Sequence, residues 1–167
     1  TGGWYTEKFL HINDGSGDPF DTSTSILFGG DRYNTNRLVV DDYNNDGLDD
    51  IIAAHGDGTP LKLYLNGSFS DYSTITGTEI SGEYITTNAL ISADFDRDGD
   101  IDVVAGNLSG VNRLYANEGV PESFIVPEFS DIGQNSQHTY EILAVDIDND
   151  GDKDIVTANN GSNMLEI

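Results

Sequence analysis

Short runs of apolar residues alternate with acidic segments along most of this chain. Each of three acidic segments has an apolar run shortly before it and another directly after it. The six runs occupy residues 38–40, 51–54, 89–91, 103–105, 142–145 and 155–156. An apolar run, a tight turn and a second apolar run are typical of a β-hairpin whose strands are largely buried. Because the sequence has no long stretch with the apolar spacing of a helix, the pattern predicts an all-β fold.

The three acidic segments are copies of one another at a constant interval. They are DYNNDGLDD at 42–50, DFDRDGDID at 94–102 and DIDNDGDKD at 146–154, and we name them loop 1, loop 2 and loop 3. Their first residues are 52 positions apart in both cases. A second element recurs after each loop, as Leu-Tyr-Leu-Asn at 63–66 and Leu-Tyr-Ala-Asn at 114–117, with related residues at 10–13 and 165–167. A fixed period of about 50 residues indicates a repeat architecture.

Each repeat contains the signals of four antiparallel strands. The apolar runs supply the first two, and the alternating Leu-x-x-Asn element, soon followed by glycine, is typical of a third strand that ends in a turn. A fourth, more polar strand is expected at 69–75 and 124–129. Four strands in about 50 residues form a β-propeller blade, whereas a β-sandwich with acidic loops would not require a fixed period. We therefore predict an all-β fold made of propeller blades.

The repeat also divides the chain into blades. Residues 1–33 are predicted to be the outer strands of an incomplete blade, 34–85 and 86–137 two blades with loops 1 and 2, and 138–167 an incomplete blade with loop 3. Propellers close with about four to eight blades, and this chain holds about three periods. We therefore expect a partial propeller that associates with further blades, or with copies of itself, through its terminal blades.

The loops have the composition of calcium sites. Ca²⁺ takes about six to eight oxygen ligands in a flexible geometry. Side chains at loop positions 1, 3, 5 and 9 and the carbonyl of position 7 can surround one ion when the glycine at position 6 makes a sharp turn. The predicted ligands are Asp42, Asn44, Asp46, the carbonyl of Leu48 and Asp50 in loop 1, Asp94, Asp96, Asp98, the carbonyl of Asp100 and Asp102 in loop 2, and Asp146, Asp148, Asp150, the carbonyl of Asp152 and Asp154 in loop 3. The sequence thus predicts three Ca²⁺ sites.

Two other interpretations of the loops are weaker. An EF-hand requires a bidentate glutamate at position 12, where this chain has Ala53, Ala105 and Thr157. Solvated acidic turns without a cation would leave the repulsion among clustered carboxylates unrelieved. Magnesium suits the loops less well than calcium because it demands a stricter geometry and retains its waters.

Charge and composition narrow the function classes. Of the 167 residues, seven are basic and thirty acidic, which gives a net charge of −23 and argues against nucleic acid as a partner. The sequence has no cysteine, so disulfides and thiolate sites are excluded. It also lacks an apolar run of the roughly 18 residues needed to span a membrane, so we expect no membrane insertion.

The combined motif D-x-[DN]-x-D-G-x-x-D, an apolar strand and L-Y-x-N-x-G resembles the FG-GAP/VCBS-type repeat. This repeat is the calcium-bearing blade of integrin α-subunit heads and of many secreted bacterial proteins. The resemblance extends from about residue 5 to residue 167. It implies a secreted or cell-surface, hence extracellular, protein that binds a protein or glycan ligand in adhesion, through loops at one rim of the propeller.

Catalytic motifs are missing from the sequence. It contains no Gly-x-Ser-x-Gly elbow, phosphate-binding loop or HExxH helix, and His11, His55 and His138 have no repeat-matched partners. We therefore expect no enzyme activity from the chain itself. Two alternatives stay open: an accessory propeller domain of a secreted polysaccharide-active enzyme, and a structural subunit of an extracellular filament or surface assembly.

Overall fold

The computed structural model describes residues 7–13, 15–18, 20, 25–67, 74–119, 129–133 and 138–160. This part of the chain forms twelve β-strands. They are β1 Lys8–His11, β2 Ser25–Phe28, β3 Thr35–Asp41, β4 Asp50–His55, β5 Lys62–Tyr64, β6 Thr78–Glu79, β7 Thr87–Ala93, β8 Asp102–Asn107, β9 Asn112–Tyr115, β10 Phe129–Ile132, β11 His138–Val145 and β12 Asp154–Asn160. Across these ranges no helix is long and apolar enough to cross a bilayer.

The strands form two four-stranded antiparallel sheets and two antiparallel pairs. One sheet has the order β3-β4-β5-β6 and the other β7-β8-β9-β10, so sequential strands are neighbours throughout. The pairs are β1-β2 at one end of the chain and β11-β12 at the other. The predicted all-β fold of partial propeller blades is therefore confirmed. The blade boundaries assigned from the sequence stay predictions.

The first two strands of each repeat pair in the same register. Each loop joins them, with Asp41 opposite Asp50, Ala93 opposite Asp102 and Val145 opposite Asp154. Each ladder also has an irregularity at the same place in the repeat, just after Thr35, Thr87 and Thr139, which lie 52 residues apart. The second strands β4 and β8 are almost entirely buried, which explains why they are apolar without alternation.

The core lies between neighbouring sheets. One cluster joins Ile52 and Leu63 of the first sheet to Leu90 and Val103 of the second, and another joins Val104 of the second sheet to Ile142 of β11. Each cluster therefore needs two adjacent sheets to enclose it.

Two apolar faces are exposed in the described structure, one on β3 beside the β1-β2 pair and one on β11. Leu38 occupies the repeat position of Leu90 and Ile142, yet it is 50% exposed where they are 8% and 1% exposed. At the other end, Leu143 is 57% exposed, although the equivalent residues Val39 and Ile91 pack against the two inter-sheet clusters.

The fourth strand was placed too early in the sequence prediction. The strands that complete the two sheets are Thr78–Glu79 and Phe129–Ile132 rather than 69–75 and 124–129, and residues 68–73 and 120–128 lie outside the described structure. Ile75, the last residue of the first predicted segment, is a buried core residue outside any strand. The observed fourth strands are mostly polar, as expected, because most of their residues face solvent.

The third strand was predicted well. β5 and β9 coincide with the Leu-Tyr motifs, although they begin one or two residues earlier, and β1 overlaps the copy at 10–13. The last copy, at 165–167, lies outside the described residues.

Candidate metal sites in the acidic loops

The three loops share one backbone conformation. The residues at positions 4 and 6 have a positive φ in every loop. These are Asn45 (57°), Arg97 (65°), Asn149 (63°), Gly47 (85°), Gly99 (99°) and Gly151 (95°). Asparagine tolerates the left-handed region better than other side chains and glycine adopts it freely, whereas an arginine there is strained by roughly 1 kcal/mol. These positive φ values give each loop the same tight coil.

Loops 2 and 3 each bring three carboxylates together. Asp94, Asp96 and Asp102 present oxygens that lie within 4.8 Å of one another. The same positions of loop 3 form the second cluster, with residues Asp146, Asp148 and Asp154. Oxygens around one Ca²⁺ lie about 2.3–2.6 Å from the ion, so neighbouring ligands within roughly 5 Å of one another can share it.

One carboxylate oxygen in each cluster is buried without a hydrogen-bond partner in the described structure. These atoms are Asp94 Oδ1 and Asp146 Oδ1. The other oxygen of each residue accepts the N–H of the position-6 glycine, at 3.2 Å in loop 2 and 3.1 Å in loop 3. A buried charged oxygen without a donor is costly, and a bound cation removes that cost. The residues present therefore fit a hard divalent cation such as Ca²⁺.

The aspartate at position 9 ties the loop to the third strand. Asp102 is fully buried, and its two oxygens accept the N–H groups of Phe95 and Asn117, both at 2.8 Å. Asp50 does the same with Tyr43 and Asn66, at 3.2 and 2.7 Å. The asparagine side chain adds a second contact with the loop, because Asn66 Nδ2 donates to the carbonyl of Asp49 and Asn117 Nδ2 to that of Ile101, both at 3.2 Å. This second contact explains why each Leu-Tyr-x motif ends in asparagine.

Burial also affects the ionisation of these two aspartates. It raises the pKa of Asp50 and Asp102, although the accepted backbone hydrogen bonds act in the opposite direction. Neighbouring loop carboxylates raise the pKa further. A cation in the loop would favour the ionised form.

Positions 5 and 7 are not part of either carboxylate cluster. Asp98 Oδ1 accepts the N–H of Asp100 at 2.9 Å, and Asp150 Oδ1 accepts that of Asp152 at 2.8 Å. The position-5 carboxylate therefore shapes the turn that carries position 7. The roles of Asp98, Asp150 and the position-7 carbonyls as ligands stay predictions.

Internal hydrogen bonds close loop 1 between positions 1, 3 and 5. Asp42 Oδ1 accepts the N–H of Asp46 at 3.1 Å, and Asn44 Nδ2 donates to Asp46 Oδ2 at 3.0 Å. No cluster of three carboxylates forms in this loop, whose residues are all described. The asparagine at position 3 thus closes the loop with a hydrogen bond where loops 2 and 3 present a further carboxylate.

A set of contacts between sheets was not predicted. Asp31 lies 3.0 Å from the ammonium groups of both Lys8 and Lys62 and accepts hydrogen bonds from Tyr64 Oη at 2.8 and 2.9 Å. Burial acts to raise the pKa of Asp31, but the hydrogen bonds from these partners lower it to about 2.

The second sheet repeats this arrangement with different residues. Glu83 pairs with Arg113 Nε at 3.1 Å and accepts from Tyr115 Oη at 3.0 Å. The sequence signal is a basic residue two positions before each tyrosine, with an acid about 30 residues earlier. Both tyrosines are buried, as expected of blade packing.

The three histidines are not brought together, and one of the three sequons is buried. His55 is fully buried in β4, whereas His11 in β1 and His138 in β11 are exposed, so the three lie on different sheets. Three N-x-S/T sequons begin at Asn66, Asn107 and Asn160. Asn107 is 2% exposed and its Nδ2 donates to the carbonyl of Val111 at 2.8 Å, so this sequon is closed to glycosylation in the folded chain.

Comparison with known proteins agrees with the fold and the loop pattern. The family model described as FG-GAP-like repeat matches residues 42–105 and 94–157. Cartilage acidic protein 1 of Mus musculus is 29% identical over 116 residues, which are 65% of this chain and 18% of that protein. Cartilage acidic protein 1 of Xenopus tropicalis is 28% identical over 142 residues, 80% of this chain and 21% of that protein. The chain thus spans about a fifth of these relatives. Since the two family matches together cover more than half of its residues, the chain belongs to the FG-GAP-like repeat family.

Proposed function

We propose that this chain is a calcium-stabilised segment of an extracellular β-propeller that serves in protein or glycan binding and adhesion. The observation that carries the calcium part is the buried carboxylate oxygen without a donor, found at position 1 of both loop 2 and loop 3. Each lies in a cluster of three carboxylates, and the two clusters are 52 residues apart. Hard oxygen ligands in a loop that can adjust its geometry favour Ca²⁺ over Mg²⁺.

Calcium removal tests this proposal. The melting temperature of the chain should fall in EDTA and recover in millimolar Ca²⁺, because binding to the folded loops stabilises the folded state. Mg²⁺ at the same concentration should raise the melting temperature less than Ca²⁺ does. Identical melting curves in EDTA and in Ca²⁺ would refute a structural role for the ion.

A pair of variants assigns the effect to the loops. Asp94→Asn combined with Asp146→Asn removes one charge from each cluster and should abolish most of the calcium-dependent shift. Glu79→Gln combined with Glu141→Gln is the matched control, because it removes two acidic charges from exposed positions in β6 and β11, outside the loops. An equal loss of the calcium response in the control would show that general charge, not the loop clusters, is responsible.

The binding role rests on the family and on the placement of the loops. Loop 1 contacts loop 2 and loop 2 contacts loop 3, so the three loops are neighbours. Loops on a rigid scaffold are the usual site of recognition, which supports a binding role for this edge of the fold. The relatives' name associates them with cartilage and describes them as acidic, and this chain has a net charge of −23. These features support an extracellular location, secreted or at a cell surface.

Arrays of purified matrix proteins and of glycans, probed with the chain in Ca²⁺ and in EDTA, test the binding role. We expect at least one ligand to be retained in Ca²⁺ and released in EDTA. Failure to retain any array member beyond the level of a heat-denatured sample would contradict a recognition role for this segment.

We further propose that the exposed apolar faces of β3 and β11 are covered by further blades or by copies of this chain. Leu38 and Val40 of β3 are 50% and 54% exposed, and Leu143 and Val145 of β11 are 57% and 38% exposed. The equivalent face of β7 is covered by its neighbours, so the repeat itself shows what covers such a face. Apolar exposure of this kind favours association.

Light scattering tests this association. We expect the chain to have a mass above 18.1 kDa that rises with concentration, and Leu38→Glu with Leu143→Glu to reduce it. A monomer of 18.1 kDa at all concentrations would contradict association through these faces.

A further inference from the structure

Two side chains connect successive loops in the same way. Asn45, at position 4 of loop 1, donates from Nδ2 to Oδ1 of Asp100, at position 7 of loop 2. Arg97, at position 4 of loop 2, forms an ion pair with Oδ1 of Asp152, at position 7 of loop 3. Both pairs join residues 55 positions apart, so neither belongs to a contiguous sequence motif. The repetition indicates a feature of the repeat rather than an incidental surface contact.

Both ends of each connection depend on how a loop is coiled. The residue at position 4 has a positive φ, 57° in Asn45 and 65° in Arg97, which directs its side chain out of its own loop. The residue at position 7 donates its N–H to the position-5 carboxylate, at 2.9 Å for Asp100 and 2.8 Å for Asp152. Each connection therefore joins position 4 of one coiled loop to position 7 of the next loop, and the carbonyl of position 7 is a predicted calcium ligand.

Glycines make room for both contacts. Arg97 Nη2 lies 3.1 Å from the place that a Cβ on Gly151 would occupy, so the guanidinium lies over the sharp turn of loop 3. A Cβ on Gly119 would collide with the carboxylate of Asp100. Arg97 thus contacts both positions 6 and 7 of the following loop, which are the residues that form its turn.

We propose that Arg97 couples the cation sites of loops 2 and 3, so that occupancy of either loop strengthens binding at the other. This inference rests on the proposed calcium binding. An ion in loop 2 stabilises the coiled form that holds Arg97 in place, and Arg97 then holds the turn of loop 3 in the form that binds. Such coupling is reciprocal, and typical values change affinity by about 5-fold to 150-fold.

The proposed coupling predicts that removing Arg97 weakens calcium binding in loop 3, whereas electrostatics alone predicts that removing Arg97 strengthens it. A positive charge beside Asp152 opposes a cation in loop 3, so a purely electrostatic Arg97→Ala effect would strengthen loop 3 without changing its dependence on loop 2. Repulsion between the two bound ions also opposes coupling, but it acts with and without Arg97. The comparison of the two backgrounds therefore isolates the contribution of the side chain.

The experiment is a double-mutant cycle on the full chain. Loop 2 is disabled by Asp94→Asn with Asp96→Asn, with and without Arg97→Ala, and Ca²⁺ is titrated while amide NMR signals are followed. Gly99 and Gly151 report loops 2 and 3 separately, because their N–H groups donate to the position-1 carboxylates. When Arg97 is present, we expect disabling loop 2 to lower the calcium affinity of loop 3 at least about fivefold. In the Arg97→Ala background, we expect the same change to lower that affinity less than about twofold. Equal weakening in both backgrounds would overturn the proposal.

Two controls complete the cycle. Arg37→Ala removes the same charge from an exposed arginine whose guanidinium donates to the carbonyl of Asn36. Because Arg97 is intact in this variant, disabling loop 2 should lower the calcium affinity of loop 3 as much as it does in the wild type. If the loop 2 variant fails to fold, disabling loop 3 by Asp146→Asn and following Gly99 measures the same coupling from the other side.

The outcomes separate the two proposals. If neither glycine signal responds to millimolar Ca²⁺, the calcium function itself fails. If both signals respond, but disabling loop 2 leaves the calcium affinity of loop 3 unchanged with or without Arg97, only the coupling fails.

Discussion

The buried histidine of β4 predicts a loss of stability in mild acid. His55 is fully buried, its Nε2 has no hydrogen-bond partner in the described residues, and its Nδ1 lies 3.4 Å from Thr35 Oγ1. Burial, followed by the positive charge of Lys8, lowers the pKa of His55 from 6.5 to about 4, and the carboxylates of Asp31 and Asp57 counteract this only in part. The folded chain therefore holds this histidine neutral where the unfolded chain protonates it.

The sign and the size follow from proton linkage. Between the two pKa values the unfolded state binds more protons, so the free energy of unfolding falls as the pH is lowered from about 6.5 to about 4 and changes little outside that window. Between about pH 7 and about pH 5 the loss from this one group is roughly 2 kcal/mol. For a chain of this size, that loss lowers the melting temperature by about 4–8 °C.

Melting curves at the two pH values, in saturating Ca²⁺, measure this loss. His55→Gln keeps a polar group near Thr35 but cannot titrate, so its stability should depend less on pH by about 2 kcal/mol, even if it is less stable at neutral pH. His11→Asn is the matched control, because His11 is exposed in β1 and should leave the wild-type pH dependence in place. The reasoning is wrong if wild type and His55→Gln lose the same stability on acidification, since other groups would then account for all of it.

The remaining predictions concern the loops, the inter-sheet contacts and activity. We expect loop 1 to bind calcium most weakly, and Asn44→Asp should raise its affinity because it restores the missing carboxylate; unchanged calorimetric titrations would contradict this. Glu83→Gln should cost about 1–3 kcal/mol in urea unfolding, because it leaves the largely buried Arg113 with a weaker partner. Gly77→Ala should cost at least about 1 kcal/mol, because a Cβ there would lie 2.7 Å from the ring of Tyr64; equal stability would contradict the observed packing. Incubation of the chain with acidic polysaccharides should release no products, and turnover lost on a substitution outside the loops would contradict this.

The parts of the fold that were predictable are those that the repeat presents several times. Three aligned copies of an apolar run, an acidic loop and a second apolar run give one consistent signal, and the hairpins formed where it indicated. Burial on both faces keeps such strands apolar, so their positions can be found from composition alone.

The fourth strand lacks such a signal. β6 has only two residues, Thr78 and Glu79, and its position is set by pairing with Leu63 and Lys62 of β5. A short polar strand of this kind cannot be distinguished from a loop by composition. Its place depends on a tertiary contact that the sequence does not display.

The contacts between repeats were hidden for a related reason. Asp31 with Lys62, and Glu83 with Arg113, join residues about 30 positions apart, and each pair uses different side chains for the same role. Alignment of identical letters therefore misses them, although alignment by charge would not. The ion pair between Arg97 and loop 3 could not be predicted from the repeat either, because position 4 is asparagine in the other two loops.

Two sets of contacts hold neighbouring sheets together, and they depend on different solution conditions. Between the sheets, apolar clusters surround the acid–base–tyrosine contacts of Asp31 and Glu83, which need no metal. At the rim, the loops carry 14 of the 30 acidic residues, and bound cations would relieve their repulsion. We therefore expect calcium withdrawal to weaken the contacts at the rim, and acid to weaken the interior at His55. The proposed cation sites would neutralise part of the net charge of −23, because nearly half of the acidic residues lie in the three loops.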